Sequence, residues 1–100
     1  QNQLNIGNIE IVEDERIVRV NGETVDLTPK EYSLFLTLSR HRGRIFTRAE
    51  LLDLVWGYDY AGDTRTVDIH IQRLRKKLDA NALITTVFGI GYKLEKQAEQ

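Results

Sequence analysis

The segment from Thr64 to Leu78 constrains the fold more than any other part of the chain. Its apolar residues recur at the i, i+4, i+7 and i+11 positions of a single helical stripe, which predicts a helix with that side buried. The stripe consists of Val67, Ile71, Leu74 and Leu78. The rest of the chain must therefore supply the surface against which this stripe packs.

The opposite face of the same helix is polar and cationic. At about 100° per residue, it carries guanidinium, ammonium, amide and hydroxyl groups around one isoleucine. Its residues are Arg65, Thr66, Ile69, Gln72, Arg73, Lys76 and Lys77. Such groups contact phosphates, base edges and the thymine methyl group in a DNA major groove. A solvated surface helix with an ordinary basic face is the alternative, and the helix alone does not decide between the two.

The charge distribution favours a polyanionic partner, although the formal net charge is only −1. Residues 1–39 carry 3 basic and 7 acidic side chains, whereas residues 40–77 carry 9 basic and 5 acidic ones. Steering towards a polyanion depends on a one-sided basic surface and not on the total. The middle of the chain is therefore the candidate binding region.

Several classes of protein are disfavoured. The chain has no cysteine, which excludes disulfides and thiolate metal sites and fits a reducing cytosol. No segment resembles a membrane span or a signal peptide, so we expect a cytoplasmic protein without a membrane partner. The two histidines, His41 and His70, lie on different predicted elements, and the carboxylates show no dyad spacing. We therefore expect no catalytic residues, no metal site and no cofactor.

Residues 4–27 predict four short antiparallel strands. Turn signals separate them at Gly7-Asn8, at residues 13–15 and at Asn21-Gly22, and Asn-Gly is the strongest short hairpin signal. We interpret this sheet as a platform, that is, a structural support for the helices with no chemical role of its own.

Two capping boxes predict the starts of the first two helices. Thr28 with Glu31, and Thr47 with Glu50, combine an N-cap threonine with a glutamate three residues later. The run from Leu51 to Trp56 is apolar nearly all round, which predicts a second helix buried between its neighbours. Residues 44–46 predict no more than a short linking strand. We expect Asp63 or Thr64 to cap the third helix.

After Leu78 we expect a short polar connection, a strand from Ile84 to Phe88, a turn over residues 89–91 and a strand from Tyr92 to Leu94, with residues 97–100 frayed. The predicted fold is α+β: a winged helix-turn-helix with an N-terminal four-stranded antiparallel sheet, three helices and a C-terminal wing hairpin. Residues 1–100 form a single domain of the size that one core supports.

Four sequence motifs, taken together in their order and spacing, make the family of this chain recognisable. They are LTPKEYSLFLTL, FTRAELLDLVWG, DTRTVDIHIQRLRKKL and TVFGIGYKL. From Leu4 to Leu94 the chain resembles the C-terminal effector domain of OmpR/PhoB-type response regulators. The resemblance implies binding to double-stranded promoter DNA, usually by two copies on direct repeats. It also implies a role in a two-component phosphorelay, in which a sensor kinase acts through a receiver domain that this chain lacks.

The resemblance also implies site residues. Positions that contact phosphates or bases in the family are matched by Arg65, Thr66, His70, Arg73 and Lys76, and a wing position near the backbone by Thr86. The loop that relatives use to touch RNA polymerase is matched by Gly57, Tyr58, Asp59, Tyr60, Ala61, Gly62 and Asp63.

This chain departs from the family pattern at two positions. Gln72 stands where an arginine is frequent, and its amide can still hydrogen-bond adenine. Phe88 stands where many relatives have a minor-groove arginine, and it is an exposed wedge, a wing-packing residue or a protein contact. We expect Thr86 and Lys93 to give the wing phosphate contacts with little sequence preference.

Two further residues of the third helix have roles that periodicity does not decide. His70 is a packing residue or a phosphate donor. For Asp68, on the side of the helix shared with Arg75, the alternatives are an ion pair that orients the helix, which we expect, and a contact with a base. The domain as a whole also fits a winged helix that binds protein, or the DNA-binding domain of a membrane-anchored activator.

Overall fold

The computed structural model describes residues 3–79 and 83–96. The connection expected after Leu78 lies partly outside this range, and the frayed end expected at 97–100 lies wholly outside it. The N-terminal platform is a four-stranded sheet in the order β1-β2-β3-β4, with each neighbouring pair antiparallel. Its strands are β1 (Gln3–Ile6), β2 (Ile9–Val12), β3 (Ile17–Val20) and β4 (Glu23–Val25). The predicted sheet is confirmed.

Helix α1 (Pro29–Arg40) begins at the predicted capping box. The Thr28 hydroxyl accepts a hydrogen bond from the Glu31 N–H at 3.2 Å, and the Glu31 carboxylate accepts one from the Thr28 N–H at 2.9 Å. These contacts satisfy two of the N–H groups that a helix start leaves unpaired. After α1, the Gly43 N–H donates to the Leu94 carbonyl at 2.7 Å, which ties the end of α1 to the C-terminal hairpin.

The second helix differs from the sequence prediction. Its box at Thr47 and Glu50 is formed, but α2 (Arg48–Leu51) continues as a π-helical turn from Leu52 to Trp56. Leu51 is buried, whereas Leu54 is 61% exposed. The prediction of a helix buried between its neighbours is therefore wrong, because the run continues as a π-helical turn in which none of the residues Leu52–Trp56 is buried.

Helix α3 (Arg65–Leu78) buries the predicted stripe completely. Asp63, and not the Thr64 side chain, caps it, since the Asp63 carboxylate accepts a hydrogen bond from the Arg65 N–H at 3.0 Å. The stripe packs in one continuous core with α1 and the platform sheet.

The C-terminal hairpin consists of β6 (Ile84–Val87) and β7 (Gly91–Leu94). It gains a third strand, β5 (Phe46–Thr47), which pairs antiparallel with β7 in the order β5-β7-β6. The linking segment before α2 is thus part of the wing sheet, which joins the wing rigidly to the start of α2. Within the described ranges, no helix is both long and apolar enough to cross a membrane.

Candidate nucleic-acid interface

The side of α3 that faces away from the core presents four adjacent side chains to solvent. Ile69, Gln72, Arg73 and Lys76 are all exposed, and we call them the exposed face of α3. Across the part of the chain that the structure describes, no carboxylate lies within ion-pair distance of Arg73 or Lys76. Their charges are therefore available to a partner.

Arg65 lies at the start of α3, where it already has a carboxylate partner. Its guanidinium donates to Asp63 from Nε and Nη2, each at 3.1 Å. Hydrogen bonds from the Arg65 backbone N–H and then from its side chain lower the pKa of Asp63. Because this pair is exposed, it is weak, and a phosphate can replace Asp63 as the partner of Arg65.

Asp68 joins three elements on one flank of α3. Its Oδ1 accepts hydrogen bonds from Arg48 Nε at 2.7 Å and from the Tyr92 hydroxyl at 2.6 Å. Burial raises the pKa of Asp68, but these two hydrogen bonds and the charge of Arg48 outweigh it, so the pKa lies below its ordinary value. We call Asp68, Arg48 and Tyr92 the Asp68 cluster; it fixes α3 to α2 and to β7.

The expected ion pair of Asp68 therefore exists, but its partner is on α2. Arg75, on the same side of α3, is used differently. Its guanidinium donates to the Ile84 carbonyl at 2.8 Å and to the Thr86 hydroxyl at 2.8 Å. Thr86, predicted to contact the DNA backbone, thus has its hydroxyl oxygen engaged by α3 and is only partly exposed.

Lys77 differs from its neighbours on the predicted cationic face of α3, because it is bound within the domain. Its ammonium lies 2.7 Å from the carboxylate of Glu31, which is 1% exposed. Burial raises the pKa of Glu31, but the hydrogen bonds from Lys77 and the Thr28 N–H outweigh it and leave the pKa below its ordinary value. Lys77 therefore anchors α3 to α1, although its side chain remains 36% exposed.

His70 and Thr66 form a pair within α3. Because the Thr66 carbonyl can only accept, His70 Nδ1 donates to it across 2.8 Å, and the His70 ring meets Trp56 edge-on with 4.9 Å between centroids. Both residues are partly buried. This geometry favours the packing interpretation of His70 over a role as phosphate donor.

The wing tip is apolar and projects from the molecule. Phe88 is 91% exposed and Ile90 is 48% exposed. The wing-packing interpretation of Phe88 is therefore wrong. Behind the tip, the Lys93 ammonium lies 3.8 Å from Glu95 and is partly exposed.

The loop over residues 57–63 leads into α3 and is largely exposed. Tyr58 is 90% exposed, whereas the Tyr60 ring lies 6.3 Å from the Trp56 ring. The Tyr60 N–H donates to the Gly57 carbonyl at 3.0 Å, so the loop begins with a tight turn.

Comparison with known proteins identifies the family of this chain. The family described as "Transcriptional regulatory protein, C terminal" matches residues 22–94, from β4 to the end of β7. The chain belongs to this family. Like the OmpR/PhoB-type domains that its motifs resemble, it is the effector domain of a response regulator.

Two comparisons cover nearly the whole effector domain. PhoP, the alkaline phosphatase synthesis transcriptional regulatory protein of Bacillus subtilis, is 46% identical over 100 residues. The match covers 96% of this chain and 42% of PhoP, so the chain spans less than half of that relative's length. The crystal structure of the Klebsiella pneumoniae RstA DNA-binding domain in complex with RstA box superimposes with a TM-score of 0.85 at 35% identity, covering 95% of this chain and 98% of that one.

A third comparison confirms the predicted fold class. The response regulator DrrB of Thermotoga maritima, an OmpR/PhoB homologue, superimposes with a TM-score of 0.87 at 27% identity. That match covers 96% of this chain and 45% of DrrB.

Sequence reasoning missed the residues that hold α3 in place. Arg48 and Tyr92 of the Asp68 cluster, Arg75, and the Glu31–Lys77 pair all act between elements that are far apart in the chain. Glu31 carried one signal, its place in a capping box, but that box did not indicate a second partner on α3.

Proposed function

We propose that this effector domain binds double-stranded promoter DNA sequence-specifically, with α3 in the major groove, and thereby regulates transcription. One observation carries the proposal. The flanks of α3 are bound to other elements of the domain through the charged side chains of Asp68, Arg75 and Lys77. The side chains of the exposed face of α3 point to solvent instead. A helix held on its flanks and open on one cationic and amide-bearing face suits insertion into a groove.

Each residue of the exposed face has a chemical role in this proposal. Arg73 donates two hydrogen bonds to guanine, Gln72 pairs with adenine, and Ile69 contacts a thymine methyl group. Lys76, Arg65 and Lys93 neutralise phosphates and set the register without selecting bases. The RstA domain, which has the same fold, was solved in complex with its own box.

Contacts of the whole regulator form a second part of the proposal. The exposed Tyr58 favours the loop 57–63 as a protein contact, for which RNA polymerase is the partner that the family implies. The proposal includes the further partners that the resemblance implies, a second copy of the domain on direct repeats and a sensor kinase acting through a receiver domain elsewhere in the regulator.

Salt dependence tests the proposed function directly. With roughly three phosphate contacts, from Arg65, Lys76 and Lys93, the logarithm of the association constant should fall with the logarithm of salt concentration at a slope of about −2.7. Fluorescence anisotropy with promoter duplexes between low and moderate salt measures this slope. A flat dependence would favour a winged helix that binds protein.

Substitutions on the exposed face separate base contacts from phosphate contacts. Arg73→Ala should cost about 1–3 kcal/mol at the preferred site and relax selectivity at one base pair. Lys76→Ala, three residues further along the same face, should weaken all sequences about equally and reduce the salt slope by about one. Selection from random duplexes, followed by titration of each variant, measures both effects. A uniform loss for both variants would contradict the base contact of Arg73.

A further inference from the structure

We propose that the wing tip, Phe88 and Ile90, is an apolar wedge that enters the minor groove and selects a deformable pyrimidine–purine step beside the site contacted by α3. This inference rests on the proposed function and adds to it a second determinant of specificity, carried by side chains without charge.

The tip is built to present these two side chains. The Ile90 N–H donates to the Val87 carbonyl at 2.9 Å, and Gly89 between them has a φ of +78°. A tight turn that needs a positive φ at its third residue leaves its second residue, Phe88, pointing outward. Burial against the protein does not explain a phenylalanine at 91% exposure.

The tip and α3 belong to one rigid unit. Arg75 of α3 binds the backbone of Ile84 in β6, and Asp68 of α3 binds Tyr92 in β7. The strand β5 braces the same hairpin from its other side. When α3 lies in a major groove, these contacts carry the tip to the adjacent part of the duplex without a separate ordering step.

The chemistry of the tip favours base steps over phosphates. Residues 83–92 contain no charged side chain, so the tip itself neither repels the phosphates nor neutralises them, and Lys93 lies behind it in β7. The hydroxyl of Thr86, which the resemblance places near the DNA backbone, accepts a hydrogen bond from Arg75, which leaves it at most one O–H donor for a phosphate. Phenylalanine and isoleucine are residues that insert between base steps in minor-groove complexes, and pyrimidine–purine steps unstack most readily. Two adjacent apolar side chains offset the cost of unstacking better than one.

The test compares duplexes that carry the same preferred site and differ only in the flanking step on the wing side, TA or AA. The domain should bind the TA duplex more tightly, and Phe88→Ala should weaken binding to it by about tenfold while removing the preference between the two. Phe88→Arg should reverse the preference towards AA tracts, where the narrow groove attracts a cation, and steepen the salt slope by about one. Leu54→Ala, which removes another exposed apolar side chain, is the matched control and should leave the preference unchanged.

A spectroscopic readout separates a wedge from a merely structural contribution. The adenine of the TA step is replaced by the fluorescent base 2-aminopurine. Binding of the wild-type domain should raise the fluorescence of 2-aminopurine, because this base unstacks. Phe88→Ala should abolish the rise. If the domain binds with the expected salt slope but shows neither a step preference nor a fluorescence change, the proposal that the tip inserts into the minor groove is wrong. The exposed tip would then be a candidate contact for a protein partner. If the salt dependence itself is flat, the proposed function fails first.

Discussion

Gly91→Ala is expected to lower the free energy of unfolding by about 3 kcal/mol by forcing β5 away from the wing sheet. A Cβ atom at Gly91 would lie 1.9 Å from the Phe46 carbonyl oxygen and 2.9 Å from the Thr47 Cα. Both atoms belong to the backbone of β5, which pairs with β7 at this register, so no side-chain rotation relieves the contact. Urea unfolding followed by circular dichroism measures the loss.

Gly89→Ala is the matched control for Gly91→Ala. A Cβ atom at Gly89 meets nothing within 4 Å, and only its φ of +78° disfavours alanine. Strain of this kind costs about 1 kcal/mol. Equal losses for the two variants would contradict the steric argument at Gly91.

The consequence of Gly91→Ala reaches the DNA-binding surface. Tyr92 follows directly in β7 and donates to Asp68 of α3, while Thr47 in β5 begins α2, which carries Arg48. A displaced β5 therefore disturbs two members of the Asp68 cluster together. We expect weaker binding to specific and non-specific duplexes alike, because the position of α3 changes while its side chains do not.

Local signals in the sequence predicted most of the architecture. The capping boxes at Thr28 and Thr47 form as expected, since each involves residues only three apart. The stripe from Val67 to Leu78 is buried as expected, since helical periodicity alone specifies which side faces the core. These predictions needed no knowledge of tertiary neighbours.

The contacts that the sequence did not predict are those that a distant element decides. Helical periodicity places Lys77 beside Lys76 on the cationic side, but only the crossing of α1 brings a buried carboxylate to one ammonium and not to the other. Asp68 finds its ion-pair partner on α2, twenty residues earlier in the chain. Leu54 lies exposed in a π-helical turn, which apolar composition does not predict.

Lys77→Met is expected to destabilise the domain by about 3 kcal/mol at neutral pH, because it leaves the buried carboxylate of Glu31 without its cation. Glu31 is 1% exposed, and its Oε2 atom has no hydrogen-bond partner among the described residues. Lys76→Met, on the adjacent exposed position, is the matched control. It should leave stability nearly unchanged and reduce the salt slope of DNA binding by about one.

The pH dependence of stability should change sign between the wild type and Lys77→Met. In the wild type the pKa of Glu31 lies below its ordinary value, so the pair contributes stability above the ordinary pKa that is lost as pH falls through the lowered one. Without Lys77, we expect burial, the largest influence on Glu31, to outweigh the remaining hydrogen bond from the Thr28 N–H and to raise the pKa above its ordinary value. In Lys77→Met, the contribution of Glu31 to stability is then fully present below the ordinary pKa of a glutamate. It is lost as the pH rises through the raised pKa of Glu31. Asp63 and Asp68 titrate in both proteins, so their effects cancel in the difference.

Urea unfolding of both proteins from about pH 3.5 to pH 7 should therefore show a deficit that grows as pH rises through the carboxyl range and shrinks in acid. Adding Glu31→Gln to Lys77→Met should recover part of the stability at neutral pH, since a buried amide needs no counter-charge. We expect the salt slope for DNA to match that of the wild type, because the Lys77 ammonium is already paired with Glu31. A Lys77→Met domain of normal stability whose salt slope falls by about one would instead make Lys77 a phosphate contact, and the buried pair would lose its role in holding α3 against α1.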